Sequence, residues 1–420
     1  MTSPRLAIVV HRLGPYHVAR LKAAASRMRL VCVEACALDK TYGWDKVGAT
    51  EGFETTTLFA RGDSADYGFR DLSARVKATL TQLQPDALAI PGWDDRVGLH
   101  ALKWAVASSI PVVLMSESNE TDAPRQWLKE RIKQRVVRLC GTGLVGGSCA
   151  VNYLARLGLA KARIFQGYDA VDNDYFASSA EEAREHCSKI GNTHGLPEKF
   201  FLASGRFVEK KNLSRLLQAY ARYRALCASP LRLERGVGRG EVSSPSSPQP
   251  WNLVLLGDGP LRSSLLALRS SLGLEHCVRM PGFKQYGELP SYYGLASAFV
   301  HASTVEQWGL VVNEAMASGL PVLVSNRCGC APDLVQEGVN GFTFDPLDIE
   351  QLALLLLRVS GFSPVSLSAF GAASRQIIGR WSPAFFADSL WKATQAALAL
   401  PSRKPSLLDR ILVWGLLRFR

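Results

Sequence analysis

The strongest constraint on this chain is an alternation that runs along it twice: short apolar runs separated by longer amphipathic stretches. Leu6–Val10, Leu30–Val33, Asp86–Ile90, Pro111–Met115 and Gly143–Val145 have the length and composition of buried strands. Tyr16–Arg27, Leu72–Leu83, Arg96–Ala107 and Arg125–Leu139 lie between them with helical periodicity. A second series follows, with strands at Phe201–Ala203, Trp251–Leu256, Cys277–Met280, Ala298–His301 and Pro321–Val324. Its helices are expected at Leu213–Leu226, Pro260–Leu272, Leu310–Ser318 and Ile349–Val359. Alternation of this kind builds parallel βαβ units, so the fold class is α/β, with two successive doubly wound, Rossmann-like halves. The join is expected in the polar stretch Tyr175–Lys199, which carries Gly191, Gly195 and Pro197. That gives domains at 1–190 and 191–380, followed by C-terminal helices at 381–420. Residues 229–250, rich in Gly, Ser, Pro and Arg without apolar periodicity, read as a flexible surface insertion.

With 47% hydrophobic and 20% charged residues, 420 residues suffice for two large cores. The net charge of +12 is compatible with nucleic acid, anionic lipid or phosphorylated small molecules. The sequence lacks the aromatic–basic interleaving of a nucleic-acid groove, so no nucleic acid is expected. Nine cysteines are scattered without zinc-type spacing, and Cys32, Cys140 and Cys149 lie in apolar runs that suit buried thiols. A reducing compartment follows. MTSPRLAIVVHRLG has too short an apolar core for a secretory signal and reads as a first strand, and no apolar run is long enough to span a bilayer. The expectation is a cytoplasmic protein, at most peripheral on the inner face of a membrane. Two basic amphipathic segments support that contact: Arg125–Leu139, with Leu128, Ile132, Val136 and Leu139 on one face, and the tail PSLLDRILVWGLLRFR. Ordinary packing of those faces on a core is the plainer alternative.

Ligands in open parallel sheets bind beyond the carboxyl ends of the strands. After Phe201–Ala203 comes SGRFVEKKNL, where Gly205 permits a tight turn and Arg206, Lys210 and Lys211 stand beside the next helix start. Cations and helix-end amides together suit a diphosphate, although loop cations are commonly just solvated. After Leu253–Leu256 comes GDGPL. Gly257 and Gly259 let a ligand approach the backbone there, and a simple tight turn explains the same letters. After Ala298–His301 comes EQWGLVVNEAMASGLPVLVS, with Glu306 in the loop and Glu314 on the helix that begins near Leu310. Carboxylates so placed accept paired hydroxyl hydrogen bonds from a sugar or ribose. The spacing alone is compatible with two unrelated surface glutamates; the complete string argues against that.

SGRFVEKKNL, LLGDGPL, MPGF, the Glu306/Glu314 pair and GVNGFTFDP stand in the order and spacing of retaining family 4 glycosyltransferases (glycosyltransferase group 1). The resemblance is strong over residues 200–345 and looser before them. It implies a GT-B fold, two Rossmann-like doubly wound domains facing a central cleft, with the acceptor on the N-terminal half. It places Arg206 and Lys211 on the donor diphosphate, Glu314 on the ribose and Glu306 on the donor sugar. The amides of Leu310 and Val311, after Gly309, would cap the phosphates, and Met280–Phe283, including Gly282 and Phe283, would flank the base. His11–His17 (HRLGPYH) resembles the family's glycine loop, with Gly14 where relatives often have two adjacent glycines. Many relatives carry a His after the strand matching Pro111–Met115; here Ser116-Glu117-Ser118 follows. Glu117, with Asp94 and Asp95, is the candidate replacement, and helix capping is the plainer role for each.

The reaction so implied moves a sugar from a UDP-, GDP- or ADP-sugar to an acceptor hydroxyl, sugar or lipid-linked, in polysaccharide, glycolipid or other glycoconjugate biosynthesis. Retention by a front-face route is expected, with Glu306, Arg206, Lys211 and Glu117 as catalytic candidates and no further cofactor. No Asp-x-Asp is placed to bridge a metal to the diphosphate, Asp172-x-Asp174 being the nearest, so no metal is expected. The alternatives are a catalytically degenerate GT-B subunit that only binds sugar nucleotide, and a GT-B nucleotide-sugar epimerase. In relatives the last helix crosses back to the first domain, and WSPAFFADSLWKATQAALAL at Trp381–Leu400 has an aromatic stripe suited to that.

Overall fold

The computed structural model describes residues 3–37, 43–45, 47, 52–62, 64–228, 249–401, 406, 409 and 415–417. Most of the expected insertion (229–248) and most of the C-terminal tail lie outside the described residues. The chain divides into two compact units, Met1–Asp172 with Arg380–Arg420, and Asn173–Gly379.

The first unit runs β1 (Arg5–Val10), α1 (Pro15–Ala25), β2 (Arg29–Cys36), β3 (Glu54–Phe59), α2 (Phe69–Leu83) and β4 (Ala87–Pro91). It continues through α3 (Arg96–Ser108), β5 (Val112–Ser116), α4 (Trp127–Arg138), β6 (Thr142–Val145), α5 (Ser148–Arg156) and β7 (Ile164–Gln166). The strands form a seven-stranded sheet in the order β3-β2-β1-β4-β5-β6-β7, with parallel pairing throughout. Both faces are covered, which is why the central strands read as continuous apolar runs. One core layer holds Val9, Val31, Leu88 and Leu114 under α2 and α3. The other holds Leu6, Ile8, Val113 and Leu144 under α1 and a late helix (Pro383–Leu398). That helix buries Phe386, Leu390, Ala393 and Ala397, and the Thr142 hydroxyl donates to the Ala393 carbonyl at 3.0 Å. The aromatic stripe of Trp381–Leu400 is therefore core of the first unit.

The second unit begins with α6 (Asn173–Glu185) and α7 (Cys187–His194), then β8 (Phe200–Ser204), α8 (Leu213–Ala228), β9 (Asn252–Leu256), α9 (Arg262–Ser271) and β10 (Val278–Gly282). It continues with α10 (Leu289–Leu295), β11 (Ala298–His301), α11 (Leu310–Ala317), β12 (Val322–Ser325), α12 (Ala331–Leu334) and β13 (Gly341–Phe344). It closes with α13 (Ile349–Ser360) and α14 (Pro364–Ile378). The late helix of the first unit is α15. The six strands pair in parallel in the order β10-β9-β8-β11-β12-β13.

The division differs from the expected boundary at 190. The stretch read as a polar join is two helices of the second unit, with Phe176 of α6 buried edge-on against Tyr293 of α10 at 6.0 Å between ring centroids. It is polar because only one face packs. The thiol expectation is met at Cys32 and Cys140, which are buried, whereas Cys149, near the start of α5, is half-buried; all nine cysteines are free.

Candidate active site

Strand order reverses between β8 and β11, and at such a switch point the two flanking loops separate and leave a crevice at the carboxyl ends of the strands. The loops leaving β8 and β11 carry the predicted donor residues. Lys211 ends a 3-10 turn (Glu209–Lys211), and the next residue, Asn212, takes a left-handed conformation (φ 57°). The buried Asn212 amide donates to the carbonyls of Ala302 at 3.1 Å and Pro346 at 2.7 Å. Thr304 N–H donates to the Lys210 carbonyl at 2.9 Å, and Gly329 N–H to the Glu306 carbonyl at 3.0 Å. These bonds fix the two loops against each other before any side chain is considered.

Between them, the Lys211 ammonium forms an ion pair with Glu306 Oε2. The same oxygen lies 3.2 Å from His301 Nε2 and 3.2 Å from the Ser303 hydroxyl, which are themselves 3.2 Å apart. The Glu306 side chain is 13% exposed and that of His301 3%. Burial alone raises a carboxyl pKa; here the His301 hydrogen bond and the Lys211 charge outweigh it and hold Glu306 well below its usual value. Burial lowers His301, with the Lys211 charge adding to that and the Glu306 hydrogen bond opposing it. Near neutral pH the group is thus carboxylate, ammonium and neutral imidazole.

Gly309 begins α11 with φ 107°, and a Cβ there would stand 3.4 Å from Glu306 Cγ and 3.5 Å from His301 Nε2. The chain turns into the helix directly over the cluster, a path strained for any other residue. The first amides of a helix lack intrahelical acceptors, so those of Leu310 and Val311 present partial positive charge at the start of α11. Glu314, further along α11, is 1% exposed, and its Oε2 accepts the Tyr293 phenol at 2.6 Å. The two glutamates therefore sit at different depths, with Glu314 hydrogen-bonded to a tyrosine of α10.

Arg206 is exposed on the loop after β8. Gly257 and Gly259 serve a different purpose from the one expected. A Cβ on Gly257 would sit 1.9 Å from the Gly205 carbonyl oxygen, and one on Gly259 2.7 Å from that of Phe207. Their smallness brings the loops after β8 and β9 together, as Phe207 N–H donating to Asp258 O at 2.8 Å shows. Gly257 N–H in turn donates to Gly282 O at 3.0 Å, and Phe283, just beyond, is 41% exposed. Among the described residues no group of three or more His, Cys, Asp or Glu side chains is placed to hold a metal ion.

The first unit has the same switch point between β1 and β4. Gly14 caps α1 in an extended conformation and its N–H donates to its own helix's His17 Nδ1 at 3.2 Å. That amide is engaged within the chain. Asp95 caps α3 through Gly98 N–H at 2.6 Å and approaches His11 Nδ1 at 3.4 Å, so the plainer role holds for it. Glu117 is half-buried after β5, close enough to Tyr168 for its charge to add to the burial that raises that phenol. Asp94 lines a hollow of about 610 Å³ with Trp93, Pro124, Arg125, Lys133 and Leu416.

Sequence reasoning missed His301, Ser303, Tyr293 and Asn212. For His301 a signal existed: a titratable residue closing a buried strand, in the five residues before Glu306. Tyr293 gave none, because only the tertiary placement of α10 brings its phenol to Glu314.

Residues 190–360 match the sequence profile of glycosyl transferases group 1. That segment belongs to the glycosyl transferases group 1 family. Sulfoquinovosyl transferase SQD2 of Arabidopsis thaliana is 41% identical over 101 residues, 23% of this chain and 19% of that protein. Mannosylfructose-phosphate synthase of Agrobacterium fabrum is 27% identical over 236 residues, 55% of this chain and 48% of that one. The matches thus span from about a fifth to about half of these curated relatives. Among solved structures, Anabaena HepE in complex with UDP and glucose superposes with a TM-score of 0.68 at 16% identity, covering 93% of this chain and 98% of that one. The chain has the GT-B fold.

Proposed function

We propose that this chain is a glycosyltransferase of the retaining family 4 type, moving a sugar from a nucleoside diphosphate sugar to an acceptor hydroxyl without a metal ion. The observation that carries the reading is the Lys211–Glu306–His301 cluster at the switch point of the second sheet, beside the start of α11. The leaving group is a nucleoside diphosphate, so the barrier falls when negative charge growing on its phosphate oxygens is stabilised. Lys211, Arg206 and the amides of Leu310 and Val311 supply that stabilisation. Glu306, acceptor-only as a carboxylate, accepts hydrogen bonds from hydroxyls of the donor sugar, and Glu314 holds the ribose. Phe283, exposed beyond β10, offers a face to the base. UDP is the favoured nucleotide, since HepE, which shares the fold, was solved with UDP and glucose.

In the first unit, Glu117 is the polar group proposed near the reacting carbon. The acceptor is a sugar or lipid-linked glycoconjugate, and peripheral membrane contact runs through α4. Its first turn leaves Trp127 76% and Leu128 58% exposed, Lys129, Arg131, Arg135 and Arg138 are exposed along the helix, and Val136 and Val137 are buried. The apolar face expected from Leu128 to Leu139 is thus split: its end is core and its start is surface. Among the described residues no single helix is long and apolar enough to cross a membrane.

Nucleotide release from a panel of UDP-, GDP- and ADP-sugars, with and without chelator, tests the central reading. Chelator-resistant turnover that Glu306→Ala abolishes is expected, and donor binding without turnover on any acceptor indicates the degenerate binding subunit instead. Vesicle sedimentation of the Trp127→Ala/Leu128→Ala variant tests the membrane contact. It is cleaner than deleting the tail, because Leu417 is buried in the first core.

A further inference from the structure

We infer that His301 and Ser303 are positioning residues for the donor sugar: they hold one oxygen of Glu306 so that the other is presented to the sugar hydroxyls. This rests on the reading of Glu306 as the sugar-contacting carboxylate.

Three groups converge on Oε2 of Glu306, namely Lys211, His301 Nε2 and the Ser303 hydroxyl, and Oε1 has no hydrogen-bond or ion-pair partner among the described residues. A carboxylate whose lone pairs are all engaged has nothing left to offer a ligand, and one with neither oxygen engaged rotates. Here one oxygen is anchored and the other is left over, on a side chain that is still 13% exposed. Anchoring by Lys211 alone would not last, since the same ammonium is the natural partner of a bound diphosphate. When it turns to the phosphate, His301 and Ser303 remain as the fixed donors. Both are buried and rigidly mounted, His301 as the last residue of β11 and Ser303 in the loop that Thr304 ties to Lys210. Gly309 closes over the imidazole and the Glu306 stem, leaving little room for another rotamer.

The protonation follows from the partners. Glu306 is ionised and can only accept, so the ring nitrogen facing it must carry a hydrogen. A neutral imidazole therefore stands in the Nε2–H tautomer, and Ser303 donates its own hydrogen to the same oxygen.

The experiment compares affinity for UDP and for UDP-glucose by calorimetry in His301→Leu, His301→Gln, Ser303→Ala and Glu306→Gln, each with its thermal midpoint. The wild-type chain should bind the sugar nucleotide more tightly than UDP. His301→Leu should lose that preference by about tenfold while its UDP affinity stays within about twofold, because each 1.4 kcal/mol of lost interaction is one decade. His301→Gln, whose side-chain amide nitrogen can stand where Nε2 does, should recover most of it, and Ser303→Ala should lose a smaller part. A ¹⁵N spectrum of histidine-labelled protein should place the His301 hydrogen on Nε2. If Glu306→Gln loses the preference and His301→Leu keeps it, the positioning role is overturned and the Glu306 reading stands. If Glu306→Gln also keeps it, the Glu306 reading itself fails. Equal loss in His301→Leu and His301→Gln, or loss of UDP affinity in step with UDP-glucose, would show a structural role only.

Discussion

The loops after β8 and β11 in the second unit, and those after β1 and β4 in the first, occupy the same topological position and are built differently. In the second unit they are tied by backbone bonds and by Asn212, and they enclose an ammonium, a carboxylate and an imidazole. In the first, the polar groups largely serve the local chain: Gly14 N–H goes to His17, Asp95 caps α3, and Glu34 accepts Leu13 N–H at 2.8 Å and the Thr57 hydroxyl at 2.8 Å. The same scaffold thus carries a preorganised charge cluster in one unit and self-satisfied loops in the other. The first arrangement suits a ligand of fixed chemistry; the second spends its polar groups on holding the local chain.

The comparison breaks most readily at Gly257. Its φ of 129° and the 1.9 Å approach of a Cβ to Gly205 O leave an alanine no place. Gly257→Ala should cost roughly 3–5 kcal/mol, visible as a lower denaturant midpoint with amide exchange accelerated in the second unit. A loss under about 1 kcal/mol, the range of ordinary substitutions, would mean that the loops are not locked as described. Next in size is Lys211→Ala, expected to lower kcat/KM by about 10²–10³-fold through lost stabilisation of the leaving phosphate. Glu117→Ala should reduce transfer and leave nucleotide affinity unchanged, which titration with UDP checks; weakened UDP binding would place Glu117 with the donor.

Asn212→Ala should cost about 2–3 kcal/mol, since two carbonyls lose their donor and alanine tolerates the left-handed conformation less well than asparagine. The smallest effect is acid sensitivity. Burial, with the Arg20 charge, lowers His17 to about 3, and burial, with Lys103 and Arg96, lowers His100 to about 4. The unfolded chain takes up these protons first, so stability is full above about 6.5 and falls as the pH drops toward those values. His17→Asn, which keeps an acceptor for Gly14 N–H, should flatten the dependence between pH 6.5 and 4 by up to about 1.4 kcal/mol per unit, read from urea midpoints across that range. An unchanged slope would show that His17 is not held neutral by the fold.

The sequence was most legible where burial on both faces makes a strand uniformly apolar. Ala298–His301 is β11 to the residue, and Leu6–Val10 falls short of β1 by one. The edge strands β3, β7 and β13 were not anticipated. ETTTLF is largely exposed, IFQ is only three residues and half-buried throughout, and GFTF sits inside a motif that draws attention for other reasons. The helices α6 and α7 read as a join because one-sided packing leaves most of their residues polar.

By itself the sequence determined two α/β halves and the residue types of the loops after β8 and β11, because strand burial, turn chemistry and cation placement are local properties of the letters. Only the tertiary structure decided which groups meet. His301 and Ser303 share an oxygen of Glu306 with Lys211, a residue some ninety positions earlier in the chain, because β8 and β11 pair side by side. Tyr293 meets Glu314 although the two stand on different helices, and Gly257 is small because another loop's carbonyl occupies its Cβ position. Contacts of this kind depend on strand order and packing distance, and neither is written in the spacing along the chain.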